Sequence, residues 1–486
     1  MKGSQTKPKG TVRHVQLSAI TALCFSLMAC SSNYQMSNDL KEQRITGKSP
    51  EQWSQQLVSN PDVLRSKSVF EELNNPQLKE LVEKALLNNL SLQQQAFDVK
   101  IKEQSLIATG TNVWPSLNAE FSGQRGESSS ADSPSTSYTA GLSLRYELDV
   151  WQKLSDTNKQ ENLQYMAEQA SYTEAAQALI SNVILSWLDV IEANQLLELY
   201  KQRVQNSEQS LSIIDSGYQQ GLNSALDVYL ARNELNSERS RLALQVSNKA
   251  TTIRVLERLI GEYPSASLLI NADIPVFATD VELGIPSELI KNKPSLQASW
   301  YQLMATDAAL AFAHKERFPD FVLTGTLSDS ASKLSDVFST SAFAWGLVGK
   351  ITAPLFDAGR LKANEKAAEL RLQQAEKSYI EDVYDSFEDI ENALSLQVSL
   401  VERYATTYEA MENAMAAEQL AFEQYQSGLV TYTTVLDAQG RSFDAQTSLI
   451  QIKKQRATNR VQLQRLLGHS FSNSNSLKTT DDGNND

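Results

Sequence analysis

The chain reads as two copies of one unit, and that repetition limits its fold more than any other feature. Tyr218-Gln219-Gln220-Gly221-Leu222, followed by Asp227-Val228 and Ala231, is answered by Tyr425-Gln426-Ser427-Gly428-Leu429, Val435 and Ala438. The run from Leu256 to Gly261 is answered by Leu463 to Gly468, Trp114-Pro115 by Phe318-Pro319, and Leu148-Asp149 by Phe356-Asp357. Convergent helix-end composition would account for the glycines alone, but not for a set of landmarks kept in one order.

Within each copy the punctuation is sparse. No Gly or Pro occurs from Trp151 to Ser216, from Leu222 to Ile260, or from Arg360 to Ser427. These stretches are rich in Ala, Leu, Glu, Gln and Lys, with apolar residues three or four apart, such as Leu179, Val183, Leu185 and Leu188. A helix of about sixty-five residues rises roughly 100 Å, far longer than a bilayer is thick. Each copy therefore predicts a helix over 77–109 or 287–316, a strand pair, a long descending helix, a Gly-Leu turn, and a return helix over 222–260 or 429–467. The two shorter helices together match the long one in length, so the ascending rod is made of end-to-end segments. The Pro-bearing stretch 263–286 lies at the rod's midpoint, and residues 31–76 and the tail after Gly468 are expected to join it there. The polar, acidic end, 479–486, is expected to be disordered.

Between the helices the period changes to two. Leu117, Ala119, Phe121 and Gly123 alternate with polar neighbours, as do Tyr138, Ala140, Leu142, Leu144 and Tyr146. The second copy repeats this with Phe321, Leu323, Gly325 and Leu327, then Phe343, Trp345, Leu347, Gly349 and Ile351. Runs of about ten residues suit a tilted strand crossing hydrocarbon. The connections 124–137 and 329–341 are Ser-rich and polar, as external loops are.

The N-terminus says where such strands would be used. A basic start is followed by an apolar run from Leu17 to Ala29, about a dozen residues, too short for a membrane span and of the right length for a secretory signal. It ends in Leu27-Met28-Ala29-Cys30, the pattern of a bacterial lipobox, in which Cys30 is acylated and becomes the first mature residue. Ser31 after the Cys implies delivery to the outer membrane. The only other cysteine, Cys24, leaves with the signal, so the mature chain has no disulfide. Processing removes Lys2, Lys7, Lys9 and Arg13 from a chain already at net charge −14, which argues against nucleic acid. No segment after Cys30 is read as a membrane helix, so any crossing must use strands. Four strands cannot close a barrel, and an open edge in lipid leaves backbone groups unpaired, so strands must come from several chains; physics permits two or three.

The order of lipobox, helix, hairpin, long helix, Gly-Leu turn and helix, then the same again, resembles the TolC-like outer membrane factors in their NodT-type lipoprotein branch. The resemblance rests on Tyr-x-x-Gly-Leu at both turns, Val435-Leu436-Asp437-Ala438-Gln439 after the second, and the run from Phe356 to Leu361. It implies a mainly α fold with a small transmembrane β part: a homotrimer with a twelve-stranded barrel, a helical periplasmic tunnel and a belt at mid-height. Partners implied are a periplasmic adaptor, an inner-membrane pump of RND type and outer-membrane lipid. The function implied is the exit duct of a tripartite efflux system, with a type I protein secretion duct as the alternative. Residues 1–29 are then the signal, 30–75 the anchored segment and belt, 76–261 and 287–468 the repeats, 262–286 a linker and 469–486 the tail.

By the same resemblance Asp437 stands where an acidic ring narrows the periplasmic tip, with Thr434 in place of a second acid and Thr433 as another residue able to narrow it. Asp227 and Tyr425 match an acid and a tyrosine joined by a hydrogen bond between tip helices, although Val430 replaces an expected basic residue. Gly221-Leu222 and Gly428-Leu429 match the turns that adaptor hairpins touch. Arg232 and Arg441 lie where an ion pair with Asp437 or Asp227 is expected. No metal site and no cofactor beyond lipid on Cys30 are expected. Catalysis has no support, because only His314 and His469 remain after processing and neither a phosphate loop nor a nucleophile elbow is present. A coiled-coil lipoprotein that spaces the envelope without a pore is the remaining rival.

Overall fold

The computed structural model describes residues 53–54, 72–127, 134–275, 277, 286–337 and 343–468. The signal, Cys30, most of the anchored segment, the tips of both strand loops and the C-terminal tail lie outside these. The elements are α1 (Pro76–Asn88), α2 (Leu90–Gly110), β1 (Ser116–Gly126), β2 (Ser135–Leu148), α3 (Lys153–Gln219), α4 (Ala225–Leu259), α5 (Pro286–Asn292), α6 (Pro294–Lys315), β3 (Asp320–Ala331), β4 (Ala344–Thr352), α7 (Arg360–Gln426) and α8 (Tyr432–Leu466).

The two long helices are each 67 residues and the two return helices each 35, so the repeat holds at the level of length. The paired aspartates explain where the long helices begin. Asp149 accepts from the N–H groups of Leu154 and Ser155, both at 2.9 Å, and Asp357 from those of Gly359 (2.9 Å) and Leu361 (2.8 Å). Each carboxylate satisfies N–H groups that the first turn leaves unpaired.

The ascending rod differs from the single helices expected over 77–109 and 287–316: both are broken, at Asn89 and at Lys293. Asn89 is extended, accepts from Leu92 N–H at 3.0 Å, and donates through its amide to the Leu259 carbonyl at the end of α4 at 2.9 Å. Lys293 is extended because the Pro294 ring excludes the helical conformation from the residue before it. Gly261 and Gly468 end the return helices at these breaks with φ of 76° and 72°. A Cβ on Gly261 would lie 2.6 Å from the Asn88 carbonyl oxygen, so α4 stops where α2 starts.

The main core sits around these junctions. Leu179, Ile180, Val183, Ile184, Trp187 and Leu188 of α3 pack against α1, the end of α4, and Ala457 and Val461 of α8. Part of α3 is apolar enough to meet the composition of a membrane span, with a mean hydropathy of 1.2 over 18 residues, contrary to the expectation that no such segment follows Cys30. That window is 61% buried inside the chain, and its apolarity serves this core. The anchored segment docks here too: Trp53 is buried among Leu289, Ile390, Leu394, Leu463 and Leu467, and Ser54 N–H donates to Glu391 at 2.9 Å. Burial alone would raise the Glu257 carboxyl, but the N–H groups of Ala266, Leu268 and Ser267 outweigh it and hold it below the usual range. They lie 2.7, 3.1 and 2.8 Å away, so one side chain folds the linker onto the end of α4.

The strands form one antiparallel sheet in the order β1-β2-β3-β4. Its register lines up Ala119, Leu142, Leu327 and Trp345 in a row on one face, and Asn118, Ser143, Thr326 and Gly346 in the next row on the other. The expected alternation is therefore real on every strand, with Phe343 falling just outside β4 and the strands running further into the loops than 124 and 329. Nothing covers much of the apolar face: Trp345 is 80% exposed, Ile351 68% and Leu117 64%. Asp329 is the exception on that face, opposite Ala140 and buried. At the sheet's lower end Trp151 donates to the Pro319 carbonyl at 2.8 Å and stacks on Phe318, with ring centres 5.2 Å apart.

Candidate functional site at the hairpin tips

Both long helices end in the same hydrogen-bonded turn. Gly221 has φ of 78° and Gly428 of 71°. Leu222 N–H returns to the Gly217 carbonyl at 2.8 Å, and Leu429 N–H to that of Gln424 at 2.9 Å. This closure requires the left-handed backbone that glycine adopts freely, and it leaves the next side chain pointing outward. Leu222 is 77% exposed and Leu429 74%.

The return helices start differently. Ser224 and Asp227 form a reciprocal capping box, with Asp227 N–H to Ser224 Oγ at 3.2 Å and Ser224 N–H to Asp227 Oδ2 at 3.1 Å. Asn223 adds a bond to the Ile214 carbonyl at 3.0 Å, clipping the first turn to α3. At the second turn Val430 cannot do this, and Thr431 makes no side-chain bond to the backbone of α8. Its hydroxyl lies instead 2.7 Å from that of Thr433 and 3.3 Å from that of Thr434.

The two turns pack together through Ile214, Val228, Ala231, Tyr432 and Val435, with Tyr425 at the margin and its ring 5.4 Å from that of Tyr432. The expected Tyr425–Asp227 hydrogen bond is not formed within the chain. Asp227 is held by Ser224, and the Tyr425 hydroxyl is buried without a hydrogen-bond partner in the chain. Burial, then the Asp227 charge, raises the Tyr425 hydroxyl pKa; Tyr432, more deeply buried, is pushed up to about 12.

Asp437 is exposed on the second turn of α8 and pairs with Arg441 at 3.0 Å. Arg232 turns to Asp215 at 3.2 Å, not to Asp227. Sequence spacing did not suggest the network above the tip, where Arg203 of α3 meets Glu238 at 2.8 Å and Glu234 at 3.1 Å and lies 4.3 Å over the Phe443 ring of α8. Glu238 is fully buried, and burial raises its carboxyl. Beside it, cavities of about 200 and 290 Å³ share Asn206, Met415, Glu418 and Gln439 along the groove between the hairpins. Among the described residues no group of His, Cys, Asp and Glu has the arrangement of a metal site.

The family described as outer membrane efflux protein matches residues 81–262 and 285–469, one match for each repeat. The chain belongs to the outer membrane efflux protein family. A probable outer membrane lipoprotein, SilC of Salmonella typhimurium, is 30% identical over 81% of this chain and 86% of its own. A solvent efflux pump outer membrane protein, SrpC of Pseudomonas putida, is 28% identical over 83% of this chain and 87% of its own. A crystal structure of CusC, described with its transmembrane channel formation, superposes with a TM-score of 0.79 at 26% identity, covering 87% of this chain and 97% of that one. This chain is thus an outer-membrane efflux channel, and its family is one of transport proteins.

Proposed function

We propose that three copies of this chain close into one duct through which small molecules, drugs or toxic compounds, leave the cell from an inner-membrane pump of RND type and a periplasmic adaptor. The observation that carries this is the sheet: one face apolar and bare, the other polar, and both outer strands unpaired. Three such sheets give twelve strands, enough for an open lumen lined by the polar rows, with no edge left in lipid. Lipid on Cys30 would hold the anchored segment at the membrane while Trp53 holds it at mid-height; the lipoprotein description of SilC supports the first half of this.

At the other end, exposed Leu222 and Leu429 on their glycine turns offer the adaptor paired apolar contacts, and the groove between the hairpins runs up from them. Three copies of Asp437 near one axis would form a charged ring, each carboxylate relieved by Arg441, with Thr433 and Thr434 lining the same level. Relatives described as cation and solvent efflux components bracket the cargo, and selection belongs to the pump. Detergent-purified mature protein should have the mass of a trimer and conduct ions in planar bilayers. A single copy, or a trimer that never conducts, would refute the duct and favour the spacer.

A further inference from the structure

A cavity of about 400 Å³ lies between α6 and α7, a short way below the sheet. Phe312, Ala313 and Ala367 give it an apolar wall, and the small side chains leave the space between the helices open. Two charged residues, Glu316 and Arg371, stand at its rim, and neither makes an ion pair within the described residues. They sit at opposite ends. His314 Nδ1 of α6 lies 2.6 Å from Glu365 Oε1 of α7, and the two helices run antiparallel, so Arg371, further along α7, is level with Thr306 and not with Glu316. From Thr306 to Glu316 the helix rises roughly 15 Å.

The aromatic rings around α6 show which side of the tunnel wall the cavity opens on. Phe318 lies between His314 and Trp151, with ring centres 5.5 and 5.2 Å away, and Trp151 is 6.3 Å from Phe321, which stands on the apolar face of the sheet. His314 and Phe318 therefore mark the outer face of α6. Thr306, Ala309 and Glu316 fall roughly half a turn around the helix from them, on the side that continues the polar rows of the sheet. At the matching place in the first repeat the groove is bridged. Gln160 and Glu161 of α3 stand where α7 has Ala367 and Ala368, and Lys102 of α2 donates at 2.9 Å to Gln164, the counterpart of Arg371.

We propose that this cavity holds cargo on its way out: a small, elongated zwitterion whose ammonium meets Glu316, whose carboxylate meets Arg371 and whose apolar or aromatic body lies on Phe312. This rests on the duct proposed above and names a class of molecule that pauses in it. Opposite charges set apart along an apolar groove favour a ligand carrying the complementary pair, because a ligand with one charge leaves the other end unmatched. Conduction requires that the hold be weak enough to release, so the pump still selects and the cavity only delays.

The test is a calorimetric titration of the full mature trimer in lipid nanodiscs, with empty discs as the blank. The probe is 4′-(aminomethyl)biphenyl-4-carboxylic acid, a rigid aromatic zwitterion. It is expected to bind saturably, one probe per copy, and biphenyl-4-carboxylic acid and 4-phenylbenzylamine, which each lack one charge, to bind roughly ten-fold more weakly or worse. Glu316→Gln and Arg371→Gln should each weaken the zwitterion by a similar factor. The exchanged pair, Glu316→Arg with Arg371→Glu, should restore binding with the probe reversed. No saturable binding to a trimer that conducts, or binding that neither single variant weakens, overturns the site. An exchanged pair that binds no better than the single variants makes the two charges structural and overturns it as well. Protein of single-copy mass, or a trimer that never conducts, overturns the duct itself.

Discussion

Tyr425 and Asp227 sit close at the tip yet are unequal in what they hold. The Tyr425 hydroxyl has no hydrogen-bond partner within its chain, so Tyr425→Phe is expected to change thermal stability of the detergent-solubilised protein by less than about 0.5 kcal/mol. Asp227→Ala removes half of a capping box and should cost about 1 kcal/mol, read as a lower melting temperature. If the order is reversed, the tyrosine is bonded across copies and the tip lock lies there. Glu257 allows a sharper test, because its carboxyl is held below the usual range. Its contribution is complete above the unfolded carboxyl value, about 4.3, and is lost as pH falls through the lower folded value. Glu257→Gln should therefore lower stability at pH 7 by roughly 1.5–3 kcal/mol, and the gap to the unsubstituted protein should close in acid. A gap that is the same at acid and neutral pH would mean that charge is not what binds the linker. Gln464 occupies the matching place in the second repeat, so the amide is already compatible with a helix end of this kind.

Element ends separate two costs that a glycine can avoid. Gly221 and Gly261 share nearly the same backbone, φ of 78° and 76°, but a Cβ on Gly221 meets open space while one on Gly261 meets Asn88. Gly221→Ala is expected to lose about 1–2 kcal/mol from the left-handed backbone alone. Gly261→Ala adds a backbone clash and should lower the melting temperature further, opening the junction between α4 and α2 to proteolysis. Equal effects would show that the close approach at Asn88 relaxes without cost. The lengths of the rods, their turns and the strand faces were legible in the sequence because they follow from period and punctuation, which are local. The breaks at Asn89 and Lys293 were less so. Pro294 gave a local signal for the second, but Asn89 breaks α1 from α2 by bonding to Leu259, far away in the chain. The same holds for the tip, where the glycine turns follow from two motifs, whereas the Arg203–Glu238 pair joins residues that no spacing brings together. The Tyr425–Asp227 bond is not made within the chain, where Ser224, three residues before Asp227, bonds to one oxygen of its carboxylate.

At the scale of the whole molecule, the sheet must present one face to hydrocarbon and the other to water, and adjacent residues on β2 test that division. Leu142 stands between Ala119 and Leu327 on the apolar face, and Ser143 between Asn118 and Thr326 on the polar one. Their positions along the strand are nearly the same, so depth in the bilayer and strand propensity largely cancel from the comparison. An arginine on the lipid face near mid-depth costs about 2–4 kcal/mol, whereas one in a water-filled lumen keeps its hydration. The cost recurs in every copy, so Leu142→Arg should sharply reduce folded, detergent-resistant trimer in the outer membrane. Ser143→Arg should assemble normally and show its presence in the pore, as lower single-channel conductance and a shift of ion selectivity toward anions in bilayer recordings. If Ser143→Arg blocks assembly while Leu142→Arg is tolerated, the faces are assigned the wrong way round and the polar rows do not line a duct.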